Sequence, residues 1–156
     1  GFIALNYACY YPERVESLAL FGPMGLTQIT NGSIFMLAVA SLYPFQGIRD
    51  AVTDWALGTD PYCHEKYGEW FDRIMKNTIP SVFQPVPVTS EEKQNLTMPV
   101  LLFLGSMDRI VGDVEAAKEK AVEFPDIRIE VLESGHLVSA EEREICNRIV
   151  AEFLFN

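Results

Sequence analysis

The chain has 156 residues, about half of them apolar, and a formal net charge of −10. That is enough chain for one domain with a real core. Lys and Arg are scattered with no basic stripe, which argues against nucleic acid as a partner, and the acidic balance disfavours an anionic membrane surface.

The cysteines are Cys9, Cys63 and Cys146. An odd count without a Cys-x-x-Cys pair fits no complete disulfide framework, so reduced thiols in a cytoplasmic protein are expected. Cys63-His64 lacks the further ligands of a metal site and reads as structural or surface. Asn31-Gly32-Ser33 and Asn95-Leu96-Thr97 match the glycosylation pattern and are taken as chance matches. No run of about 18 apolar residues predicts a spanning helix, and the first residues show no signal-peptide pattern.

Residues 1–11 (Gly1 to Tyr11) have a helical pattern, apolar on nearly all sides, and Pro12 stops them. Val15-Glu16-Ser17-Leu18-Ala19-Leu20-Phe21 reads as a strand, ended by Gly22-Pro23. From Met24 to about Pro87 the pattern becomes all-helical. The predicted helices cover 34–43, 47–57 and 62–79; the last carries Tyr67, Trp70, Phe71, Ile74 and Met75 at helical spacing. Pro80, Pro85 and Pro87 end this region. The aromatic stripe reads as core packing first, with some side chains available to line an apolar pocket. Thr89-Ser90-Glu91-Glu92-Lys93 looks like a short capped helix.

The unbroken apolar run behind Pro99, Val100-Leu101-Leu102-Phe103-Leu104, suits a strand buried on both faces of a parallel sheet. Gly105 ends it, and Asp108 follows just past the strand's C-terminal end, where open α/β sheets place their functional groups. Asp113 is a good N-cap for a helix over 114–122. Ile127-Arg128-Ile129-Glu130-Val131-Leu132 is the next strand, and His136 again lies just past its end. Parallel strands would put Asp108 and His136 at one sheet edge. A buried aspartate accepting from one imidazole nitrogen leaves the other free as a base. Taken alone, the Asp is a loop or capping residue and the His a surface side chain after glycine. Ser139 and Glu141 read as the start of the last helix, with Glu141 or Glu142 favouring its N-terminal dipole end.

Gly105-Ser106-Met107-Asp108-Arg109-Ile110-Val111 and Ser134-Gly135-His136-Leu137, 28 residues from Asp to His, resemble the acid and histidine segments of the α/β-hydrolase superfamily. The stretch 1–23 is similar to the helix after the nucleophile elbow and the sixth strand. The tail from Glu141 is similar to the last helix, with Arg143 where many relatives have proline. The resemblance implies an α/β fold: the C-terminal half of the hydrolase sheet, as three parallel strands with flanking helices, built from 1–23 and 88–156. It implies a helical cap, or lid, over 24–87. It also implies Asp108 as orienting acid and His136 as general base, with no metal or organic cofactor, and a small apolar or acyl substrate.

Neither Gly-x-Ser-x-Gly nor its Cys or Asp variants occurs in the chain, and Ser106, Ser134 and Ser139 do not sit on an elbow. The expectation is therefore a chain that begins just after its nucleophile and is inactive alone. Ester or lactone hydrolysis on a serine would be its full-length chemistry; an aspartate nucleophile would make it an epoxide hydrolase or dehalogenase. A non-catalytic binding or assembly module is the other reading. With the fifth strand missing, self-association through the unpaired edge at Val15 to Phe21 is expected.

Overall fold

The computed structural model describes residues 1–42, 45–58, 60–78 and 86–155. Helix α1 (Phe2–Tyr10) leads to strand β1 (Leu18–Phe21). Helices α2 (Asn31–Leu42), α3 (Gln46–Leu57) and α4 (Pro61–Asn77) follow, then the short α5 (Ser90–Gln94). The chain continues through β2 (Val100–Gly105), α6 (Val114–Ala121), β3 (Ile127–Leu132), α7 (Val138–Glu141) and α8 (Arg143–Phe155).

Among the described residues the sheet is parallel, in the order β1-β2-β3. Leu20 pairs with Leu102, and Leu102 with Ile129. β2 is central and every one of its residues is buried, which is why it carries no polar alternation. Its side chains divide between two faces. Val100, Leu102 and Leu104 pack with Leu5 and Ala8 of α1 and Ala117 and Ala121 of α6. Leu101 and Phe103 pack on the other face with Val138, Cys146 and Ile149. The rings of Phe21 and Phe103 stack across the strands at 4.7 Å. The small residues Ala8, Ala117 and Ala121 let two helices approach the sheet closely, giving three layers.

Strand β1 is shorter than expected over 15–21. Pro12–Arg14 forms a 3-10 turn, closed by the Val15 N–H donating to the Pro12 carbonyl at 3.2 Å. The ladder starts where the Leu18 N–H reaches the Pro99 carbonyl at 3.0 Å. Its partner strand begins only at Val100, and Pro99 has no N–H to extend the pairing backwards. Helix α2 starts three residues before the expected Ile34, because Thr30 Oγ1 accepts the Ser33 N–H at 3.1 Å and caps it. Tyr43, Ile79, Pro80 and Pro85, which entered the expected helix ends, lie outside the described residues.

Local caps account for the starts of α4, α5 and α6. Asp60 accepts from the Cys63 N–H with Pro61 at the first position of α4. Thr89 and Glu92 form a reciprocal capping box on α5, and Asp113 accepts from the Glu115 and Ala116 N–H groups. Helices α2, α3 and α4 form a separate apolar cluster around Ala40, Val52, Ala56, Phe71 and Met75. The Arg49–Asp72 ion pair at 2.8 Å ties α3 to α4. Two members of that cluster belong to the sheet's loops: Ile110, two residues after Asp108, and Leu137, next to His136. The helical insertion therefore rests on the segments that carry Asp108 and His136.

Candidate active site

The two loops that leave the sheet at its C-terminal edge are stitched to each other before any side chain is considered. The Ser106 N–H donates to the Leu132 carbonyl at 2.8 Å, and the Met107 N–H to the Ser134 carbonyl at 3.0 Å. Gly105 makes this approach feasible, since a Cβ there would collide with the carbonyl oxygens of Ser134 and Gly135. A tight turn follows, with the Asp108 N–H donating to Gly105 at 3.1 Å.

Asp108 is buried, and its carboxylate accepts three hydrogen bonds. Oδ1 takes the Ile110 N–H at 2.8 Å and the Val111 N–H at 3.2 Å. Oδ2 takes the His136 Nδ1–H at 2.8 Å. The first two bonds orient the carboxylate toward the imidazole and compensate for its burial. The His136 side chain is 27% exposed, and its Nε2 has no hydrogen-bond partner among the described residues. This arrangement fixes the Nδ1–H tautomer. The Nε2 lone pair is left to take a proton, and a buried carboxylate is placed to stabilise the resulting imidazolium.

The structure thus brings together the residues the sequence singled out, Asp108 and His136. It adds four that sequence reasoning missed. Thr27 Oγ1 donates to the Val111 carbonyl at 2.8 Å, and Ser33 Oγ to the Arg109 carbonyl at 2.7 Å, so the start of the helical insertion clamps the Asp108 loop. Gly22, with φ +47°, lies directly against the Asp108–His136 pair. Glu141 was expected at the start of the last helix; it instead ends the separate helix α7, and its carboxylate turns back to the Gly135 N–H. Burial pushes this carboxyl above the usual range, and nearby Asp60, Glu142 and Asp108 add to the effect, opposed by the Gly135 N–H. No local pattern signals these contacts, which depend on elements meeting in space or on a backbone turning away from its helix.

An open cleft of about 450 Å³ lies beside Asp108, lined by residues that include Thr30, Ser33, Met36, Trp55 and Arg109. Ser134 is fully buried and its Oγ has no partner among the described residues, while Ser106 and Ser139 are exposed in the loop after β2 and in α7. Cys63 is buried, and its thiol is pushed up to about 12 by that burial. His64 Nε2–H donates to the Gly58 carbonyl at 2.6 Å. Among the described residues no cluster of three or more His, Cys, Asp or Glu side chains could hold a metal ion. No helix there is long and apolar enough to cross a membrane.

No protein-family model matches the chain. Two curated proteins of Bacillus subtilis are similar to it: carboxylesterase YbfK, 28% identical over 163 residues, and the uncharacterized carboxylesterase nap, 26% identical over 162 residues. The alignments cover 96% and 98% of this chain but 53% of each relative. The crystal structure of naproxen esterase (carboxylesterase NP) from the same organism superposes with a TM-score of 0.82 at 23% identity, over 97% of this chain and 55% of that one. The chain has the α/β-hydrolase fold and is similar to carboxylesterases. It spans about half the length of the curated relatives it matches. Its three parallel strands and flanking helices make up part of a hydrolase sheet.

Proposed function

We propose that this chain supplies the acid and the base of a Ser-His-Asp ester hydrolase. The observation that carries the reading is the 2.8 Å contact from His136 Nδ1–H to Asp108 Oδ2 past the ends of adjacent parallel strands. The carboxylesterase relatives support ester substrates and favour a serine nucleophile over the aspartate of an epoxide hydrolase or dehalogenase. In this mechanism His136 Nε2 takes the proton of the serine hydroxyl as it attacks the ester carbonyl. Asp108 stabilises the imidazolium, which then protonates the leaving alcohol. Water, activated by the same nitrogen, releases the acid.

The helical region 24–87 serves as the cap in this reading. Met36 and Trp55 contribute apolar walls to the cleft beside Asp108, which suits a small ester with an apolar acyl or alkyl group. Neither the nucleophile nor its elbow is among the 156 residues. The polypeptide of these residues alone is therefore proposed to be inactive: loss of the serine from such a unit costs about 10⁶-fold in turnover in subtilisin. Oxyanion-hole donors are worth a further ~2.7–4 kcal/mol each. The free edge of β1 is proposed to pair with a second copy of the chain when nothing else covers it.

The test is hydrolysis of short and medium p-nitrophenyl esters. The 156-residue chain should not exceed background. The same chain joined to an elbow-bearing N-terminal half, from its own upstream coding sequence or from a relative, should hydrolyse them, and His136→Ala should abolish the rate. A rate from the 156 residues alone that vanishes in His136→Ala overturns the inactivity. An elbow-bearing protein that folds, yet is indifferent to His136→Ala, overturns the function.

A further inference from the structure

The loop that carries His136 is closed on itself by a side chain that the proton relay does not use. Glu141 ends α7, and both its carboxylate oxygens face the Gly135 N–H, Oε1 at 3.0 Å and Oε2 at 2.9 Å. Gly135 is buried, and a buried backbone N–H requires a partner. Residues 135–141 therefore form a ring whose second member is His136. The same carboxylate meets the helical insertion. A Cβ on Gly135 would lie 3.1 Å from Glu141 Oε1 and 3.5 Å from the Leu57 carbonyl, and one on Gly58 would lie 3.7 Å from Glu141 Oε2.

We propose that Glu141 is a positioning residue: its carboxylate anchors the Gly135 amide, sets the backbone from which His136 reaches Asp108, and seats the turn after α3 against that backbone. The inference rests on the reading of His136 as the base. The surroundings make this an expensive place for a carboxylate. Asp60 and the Cys63 thiol face it from α4, Glu142 from the junction with α8, and Asp108 from the loop after β2. The neighbouring cation, Arg143, has its guanidinium over the Tyr62 ring at 5.2 Å. Burial accordingly raises the Glu141 carboxyl, and the Gly135 N–H is the group that opposes the rise. A carboxylate serving only the α8 dipole would face the free amides of that helix instead. Protonation would relieve the buried charge and leave the Gly135 amide with a weaker acceptor.

The experiment is NMR on the ¹⁵N-labelled chain as wild type, Glu141→Gln and Glu141→Ala. In the wild type the Gly135 amide proton should titrate in one step, with a midpoint above the ordinary carboxylate value, and Glu141→Gln should lack that step. Glu141→Gln keeps an acceptor oxygen and should retain the low-field His136 Nδ1–H signal. Glu141→Ala should speed Gly135 exchange about tenfold, the equivalent of one hydrogen bond. It should also lose the His136 signal to solvent exchange while α6 amides keep their protection. A Gly135 amide with no titration step overturns the proposal, as does a Glu141→Ala protein that matches wild type in both signals. Should Glu141→Ala fail to fold, the wild-type titration and Glu141→Gln decide. None of these readouts depends on turnover, so failure of the hydrolase reading and failure of this one are seen separately.

Discussion

Gly22 closes over Asp108: a Cβ added to Gly22 would stand 3.2 Å from Asp108 Oδ2 and 3.5 Å from His136 Nδ1. The Gly22 N–H donates to the Phe103 carbonyl at 2.9 Å, so the chain leaving β1 is pinned across the end of β2. Its φ of +47° lies in the left-handed region, where a side chain costs about 1–2 kcal/mol. Gly22→Ala should lower unfolding stability by at least that much in urea titrations. It should also weaken the His136 Nδ1–H signal. A variant with wild-type stability and an unchanged signal would show that the loop yields without disturbing the pair.

Ser134 lies two residues before His136, fully buried, with an Oγ that bonds nothing among the described residues. Desolvating a hydroxyl without a partner is unfavourable. Ser134→Ala should therefore leave stability unchanged or raise it by up to about 1 kcal/mol, measured by thermal unfolding. The same variant in an elbow-bearing protein should keep its esterase rate. A clear loss of stability would reveal an ordered water bound to Oγ.

The Lys93–Glu123 pair gives acid sensitivity of a definite sign. Lys93 is 2% exposed and bonds Glu123 at 3.0 Å. The hydrogen bond from Ser90, followed by that from Lys93, brings the Glu123 carboxyl down from 4.5 to about 2. The folded value lies below the unfolded one, so the contribution is present above 4.5 and is lost as pH falls toward about 2. Glu123→Gln should flatten the stability profile in that window. It should also be destabilising at neutral pH, because it strands a buried ammonium. Adding Lys93→Met should recover much of the loss. Glu141 has the opposite sign: its folded value is raised, so its contribution is complete below the unfolded value and is lost as pH rises through the folded one.

Strand β1 has β2 on one side and no strand on the other among the described residues. Light scattering of the 156-residue chain should give a dimer or larger species, with the outward amides of residues 18–21 protected from exchange. A stable monomer whose edge amides exchange freely would contradict pairing through this edge.

The apolar run of β2 and the acid and histidine that follow β2 and β3 are legible in sequence, because a strand buried on both faces must be continuously apolar and because parallel strands send their loops to one edge. The caps at Thr89 and Asp113 are equally legible, since each is satisfied within three residues of its own position. The boundaries that depend on a partner are less so. β1 begins at Leu18 only because its neighbour begins at Val100.

By itself the sequence determined which segments are buried, which are helical and which two side chains leave the sheet as a potential acid and base, since these follow from local periodicity and strand direction. Only the tertiary structure decided what holds that pair in place. Thr27 and Ser33 reach the Asp108 loop across 84 and 76 residues, Gly22 packs on the pair from another strand, and Glu141 turns away from its expected helix end to a buried amide. Each is a hydrogen bond or a close approach whose partner is fixed by packing, and a pattern of residue types along the chain contains no distance through space.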